Sequence, residues 1–173
     1  MNTHWRQDVE NAYQIARGQL LARRNADGFW TGRLASSAVS TATAVSALSV
    51  VRAAGHPAQE QLTLSIQRGV TWLVGQQNAD GGWGDTDRSY SNIATTALAV
   101  SALCLADCRG CFGPVVERGM EYLQRYGFVE GIYRRYGRDR TFAVPILTNA
   151  ALAGLLDWGT VPTLPFELAC FPQ

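Results

Sequence analysis

Charge is what this sequence has least of. Only 17% of its 173 residues are Asp, Glu, Lys or Arg, and 15 basic against 14 acidic side chains leave a formal charge of +1. No basic run is longer than a pair, which argues against an electrostatic grip on nucleic acid. Cysteine is scarce too: Cys104, Cys108, Cys111 and Cys170 are too few and too clustered for a disulfide framework. No apolar run reaches the ~20 residues that span a bilayer. The longest, around 38–51 and 93–106, are studded with Ser and Thr. The opening Met1-Asn2-Thr3-His4-Trp5 lacks the charged-then-apolar order of a signal peptide, so a cytoplasmic location is expected. What remains is a chain with 47% AVILMFWYC residues, which is folded rather than disordered. Its length suits one domain or a piece of a larger one, burying roughly 70% of its unfolded surface.

The chain repeats itself. Asn25-Ala26-Asp27-Gly28-Phe29-Trp30 returns as Asn78-Ala79-Asp80-Gly81-Gly82-Trp83, 53 positions later. Ala44-Val45-Ser46-Ala47-Leu48 returns as Ala99-Val100-Ser101-Ala102-Leu103, 55 later, and Arg68-Gly69-Val70-Thr71-Trp72-Leu73 as Arg118-Gly119-Met120-Glu121-Tyr122-Leu123, 50 later. Three degenerate units follow, about 5–56, 57–112 and 113–160, then a proline-containing tail over 161–173.

Each unit reads as two helices. Leu62, Ile66, Val70 and Leu73 form one stripe of an outer amphipathic helix. Pro57 suits a first turn, Gly55 can end the helix before it, and Gly110 and Pro114 punctuate the next junction. The partner helices, about 36–51, 91–106 and 143–156, are apolar or small nearly all round, as helices buried on every side are. No stretch alternates as a half-exposed strand would. The expected fold is all-α: antiparallel hairpins in an α/α toroid. Three hairpins need not close, and the third unit has no polar capping face, so an incomplete barrel is expected, completed by further sequence or by a second chain.

The bend of the second unit is the most specific feature: Arg68-Gly69-x-x-Trp72-Leu73-x-x-x-Gln77-x-x-x-Gly81-Gly82-Trp83-Gly84. A glutamine can donate to the carbonyls a helix end leaves open, Asp80-Gly81-Gly82 supplies a tight turn, and Trp83 can shield the polar knot. This resembles the QW motif of the squalene–hopene and oxidosqualene cyclases, whose relatives include the prenyltransferase/squalene-oxidase repeats. The run Arg140-Thr141-Phe142-x-x-Pro145-Ile146-Leu147 and the tail Val161-Pro162-Thr163-Leu164-Pro165-Phe166-Glu167-Leu168 extend the resemblance, the tail to the family's N-terminal barrel. The motif lapses elsewhere: Arg24 stands in place of the glutamine in unit one, and Gly131-Ile132-Tyr133 ends unit three.

The resemblance implies a hydrophobic isoprenoid cavity bordered by Phe142, Ile146, Thr96 and Arg140, with an isoprenoid such as squalene as ligand. Plain core packing at the toroid axis is the other reading of these positions. The family starts cyclisation with an Asp-x-Asp-Asp acid, which is absent here; the nearest string is Asp85-Thr86-Asp87-Arg88. The chain alone is therefore expected to be inactive, a triterpene-cyclase part awaiting a C-terminal catalytic domain. Peripheral membrane contact is implied by the resemblance alone. A non-catalytic helical module binding an apolar ligand or protein partner stands as the alternative, and a zinc-dependent prenyltransferase-like module as a third.

Asp85 and Asp87 could form a proton-transfer pair, or simply charge the loop before a helix capped by Ser89 or Ser91. Cys104-x-x-x-Cys108-x-x-Cys111 has iron–sulfur spacing, but Cys104 lies on the buried helix, no strand precedes the trio, and free cysteine often serves as a small core residue. Zinc would need Cys170 or a distant histidine as fourth ligand. His4 and His56 stand alone. No cofactor and no metal is expected.

Overall fold

The computed structural model describes residues 4–32, 34–106, 109–139 and 141–162, and of residue 4 and residues 109–111 the backbone only. These fall in two compact units, divided between Ala35 and Ser36. Among the described residues there are seven α-helices, one short 3-10 turn (Trp158–Thr160) and no strand. The chain is all-helical, as its periodicity required.

The first unit holds α1 (His4–Ala22) and the bend that follows it. The second holds α2 (Ala38–Ala53), α3 (Gln59–Gly75), α4 (Ile93–Leu105), α5 (Arg109–Arg125), α6 (Phe128–Tyr136) and α7 (Ala143–Leu152). Here α2, α4 and α7 lie side by side with α4 in the middle, α3 packs on α2, and α5 packs on α4. This is the arrangement of hairpins in an α/α toroid. It explains why α4 has no polar face: every residue from Ile93 to Leu103 is buried.

Glycine decides how closely the outer helices approach. A Cβ on Gly119 of α5 would sit 2.5 Å from Val100 Cγ2 and 3.0 Å from the Trp83 ring. On Gly69 of α3 it would collide with Val45 Cγ2 of α2. The repeated Arg-Gly pair and the repeated Ala-Val-Ser-Ala-Leu are thus two sides of one contact, made twice.

Several boundaries differ from the sequence reading. Helix α4 is capped by Asn92, whose side chain accepts from Thr95 N–H, rather than by Ser89 or Ser91. Those serines are drawn into the preceding bend. Pro57 lies outside α3, which starts after Ala58. The largest difference is α6: Gly131, Ile132 and Tyr133 form no bend but lie within a helix, with Ile132 fully buried. A third-unit bend without tryptophan has nothing to cover its turn, and the segment instead coils and tucks its apolar side inward.

Candidate functional site

The bends hold the helices in place, and their hydrogen bonds repeat with the sequence. In the second bend Trp83 is fully buried, and its indole N–H donates to Leu73 O at the end of α3 (2.8 Å). Its own backbone is fixed at both sides: Trp83 N donates to Thr96 Oγ1 (3.0 Å), and Trp83 O accepts from Asn92 N (2.9 Å). In the first bend, 53 positions earlier, Trp30 Nε1 donates to Leu20 O and Arg24 Nε to Gly28 O (2.7 Å). Gln77 Nε2 makes the matching bond to Gly81 O (2.9 Å). Arginine can stand in for glutamine because a guanidinium N–H serves that carbonyl equally well. Gly28 and Gly81 hold φ of +89° and +88°, which only glycine adopts freely.

Gln77 does not cap the end of α3, as its position in the chain had suggested; the tryptophan does. The glutamine faces the next repeat instead, donating to Val115 O (2.9 Å) and accepting from Arg118 NH2 (2.5 Å). The motif's other members, Arg68 and Trp72, sit exposed and half-buried on α3.

A cavity of about 360 Å³ opens on the face of α2, α4 and α7 turned away from α3 and α5. Its walls are Val39 and Thr43 of α2; Ala94, Thr95 and Leu98 of α4; and Phe142, Pro145, Ile146 and Asn149 at the start of α7, with Asp85, Arg135 and Tyr136 at its edge. Steps of three and four along each helix bring these side chains onto one face.

The structure brings Phe142 and Ile146 together on this wall. Phe142 is 64% exposed, so it is no core residue; its ring lies 6.1 Å from that of Tyr136. Thr96 lies elsewhere, fully buried, with its hydroxyl bonded to Asn92 O and accepting from Trp83 N. Its neighbour Thr95, about 100° round the helix, lines the cavity in its place. Arg140 lies outside the described residues. Sequence reasoning missed Arg135, Tyr136 and Asn149. The first two sit on α6, a helix it had not placed; Asn149 follows from Phe142 and Ile146 by helical spacing.

Asp85 is the one carboxylate among the described lining residues. Its Oδ1 accepts from the Thr95 hydroxyl and from Asn92 Nδ2 (2.8 Å). The hydrogen bond from Thr95 holds the carboxyl below its ordinary value; partial burial opposes this, and Asn92 and the Arg135 guanidinium reinforce it. Asp85 is therefore an anion that ties the bend to α4, unsuited to be a proton donor near neutrality. A second tie runs from the same stretch to α2, with Ala38 N donating to Asp85 O and Asp87 N to Ser36 O. Because the folded-state value is depressed, this stabilisation is complete above about pH 3.9 and is lost as pH falls through the lower folded value. Asp85→Asn is expected to lower the thermal midpoint at neutrality, where the carboxylate contributes fully, and to flatten the loss of stability below about pH 3.9 in a circular-dichroism titration.

Against known sequences, a model of the squalene-hopene cyclase C-terminal domain matches residues 1–143. The chain belongs to the squalene–hopene cyclase family. That match names the C-terminal domain, where the tail motif had pointed to the N-terminal barrel. The chain is 32% identical over 156 residues to a probable squalene–hopene cyclase of Sinorhizobium fredii, covering 74% of this chain and 23% of that protein. It is 33% identical over 107 residues to the enfumafungin synthase of Hormonema carpetanum, covering 62% and 7% respectively. This cyclase-family chain thus spans under a quarter of the length of these curated relatives. No solved structure matches it.

Among the described residues no cluster of His, Cys, Asp and Glu could hold a metal ion. Cys104 is a half-buried free thiol. Cys108 and Cys170 lie outside the described residues, as does the side chain of Cys111. No described helix is long and apolar enough to cross a membrane.

Proposed function

We propose that this chain is one part of a terpene cyclase, and that the cavity between α2, α4 and α7 holds a stretch of an isoprenoid substrate such as squalene. The observation that carries this reading is the cavity wall itself: aliphatic side chains from three successive inner helices, with the Tyr136 and Phe142 rings at its edge. Aromatic faces stabilise a passing positive charge, each by about 1–2 kcal/mol where water is excluded. At 360 Å³ the volume is at the small end of ligand sites, which run to about 1,000 Å³.

The initiating acid would come from outside these residues. The sequence has no Asp-x-Asp-Asp, and the carboxylate at the cavity is committed to the α4 cap. Further cyclase sequence or a second chain would supply the acid and cover the open flank, with membrane contact limited to the surface.

Incubating the chain with squalene, alone and with a separately produced complementary cyclase segment, tests this. The expected result is binding without cyclisation by the chain alone, and cyclic product only in the mixture. A cyclic product from the chain alone would overturn the assignment of the acid to another segment. Phe142→Ala, at an exposed position, is expected to weaken squalene binding several-fold while leaving the helical spectrum unchanged; unchanged binding would remove Phe142 from the site.

A further inference from the structure

Arg135 lines two cavities at once. One is the apolar cavity of the inner helices. The other, also of about 360 Å³, has a different character: Ser91, Asn92, Tyr122, Tyr126, Arg134 and Arg135 line it with only Ile93 and Gly131 besides. Six of those eight residues carry polar side chains, two are cations, and none is a carboxylate.

Two aspartates of the adjoining bend are already engaged. Asp85, on the apolar side, accepts from Thr95 and Asn92. Asp80 is held in the bend by Gly82 N–H (3.0 Å) and the Ser91 hydroxyl (2.7 Å). Among the described residues neither Arg134 nor Arg135 makes an ion pair; Arg135 rests over the Tyr136 ring at 5.9 Å. Burial pushes the Tyr122 phenol above its ordinary value, and the neighbouring Tyr126 and Asp80 add to this. Tyr122 is therefore a neutral hydroxyl, able to donate, at any physiological pH.

The last turn of α6 would favour cations in any case, through the helix dipole. The dipole does not account for a guanidinium shared between an apolar and a carboxylate-free polar cavity. A hydrocarbon alone would use one cavity and leave the other to water. A molecule with an apolar body and a polyanionic end uses both, because guanidinium forks and phenol hydroxyls match phosphate oxygens.

We propose that the two cavities form one site for a phosphorylated isoprenoid, its chain between α2, α4 and α7 and its phosphate or diphosphate head against Arg134, Arg135, Tyr122 and Tyr126. This deepens the isoprenoid reading above and rests on it.

The test compares farnesyl diphosphate, farnesol and inorganic diphosphate on the full chain, by calorimetry at low salt. Farnesyl diphosphate is expected to bind at least about tenfold more tightly than farnesol, as charge-assisted hydrogen bonds to the head would give. Added salt should shrink that advantage without affecting the alcohol. Both arginines are exposed, so Arg134→Gln with Arg135→Gln should keep the helical circular-dichroism spectrum of the parent chain. Arg134→Gln alone, which touches only the polar cavity, should weaken farnesyl diphosphate and leave farnesol unchanged, and the double variant should bring farnesyl diphosphate down to that variant's own farnesol affinity, whereas Arg135→Lys should keep part of the gain. Equal binding of ester and alcohol, or an advantage that survives the double variant, overturns the head-group site while farnesol binding still supports the apolar cavity. Inorganic diphosphate binding as tightly as the ester overturns the shared site. Absence of binding by all three and by squalene removes the isoprenoid reading itself.

Discussion

Trp83→Ala is expected to destabilise the fold by about 3–5 kcal/mol, the usual range for truncating a large buried aromatic. In a chain of this length that lowers the melting temperature by roughly 10 °C. The size of the effect follows from position. Trp83 is the largest fully buried side chain, touching α5 at Gly119 and bonding α3 at Leu73 O. Trp83→Phe separates the two contributions. Leu73 O keeps a second donor in Gln76 N (3.1 Å), so losing the indole N–H should cost only about 1–2 kcal/mol. Denaturant unfolding of the three proteins should therefore place phenylalanine much nearer to tryptophan than to alanine. If the two variants proved equally damaged, the hydrogen bond, and not the packed ring, would be the main stabilising element of the bend.

Gly119→Ala should also destabilise the fold, although alanine is the better helix former by about 1 kcal/mol. The added methyl would lie 2.5 Å from Val100 Cγ2 and 3.0 Å from Trp83. Both neighbours are fully buried, so neither can swing away. Overpacking of this kind costs about 1–3 kcal/mol, enough to outweigh the propensity gain. The partner change Val100→Ala makes room, so the double variant should be more stable than the sum of the single losses predicts. Additive losses would mean that the glycine serves something other than close approach. A stabilised Gly119→Ala would mean that α5 and α4 are free to separate.

The repeat, the helical class and the importance of the bend were legible in the residues, because each depends on local pattern. A glycine–glycine–tryptophan turn after an amphipathic stripe has few structural solutions, and Trp83 and Gly81 take up the buried and turning roles their types suggest. Direction was harder to read. Gln77 follows a helix end in sequence, yet its partners Val115 and Arg118 come from the following repeat, 38 and 41 residues on. Nothing in the spacing of the motif announces that partner. Thr95 and Thr96 are both buried and chemically alike, so composition could not say which borders the cavity. The rotation of α4 decides it, with Val100 facing α5 and Leu98 facing the cavity.

Periodicity and turn chemistry alone made this chain a set of helical hairpins, since apolar stripes must be covered and glycine must turn where other residues are strained. The tertiary structure alone decided what lies beside what: that Arg135 stands between a greasy and a polar cavity, that Asp85 ties a bend to the next helix instead of donating a proton, and that Gly131 lies within α6, close against Ile93. Those outcomes depend on contacts between residues tens of positions apart, which helix rotation and packing determine and local sequence does not encode.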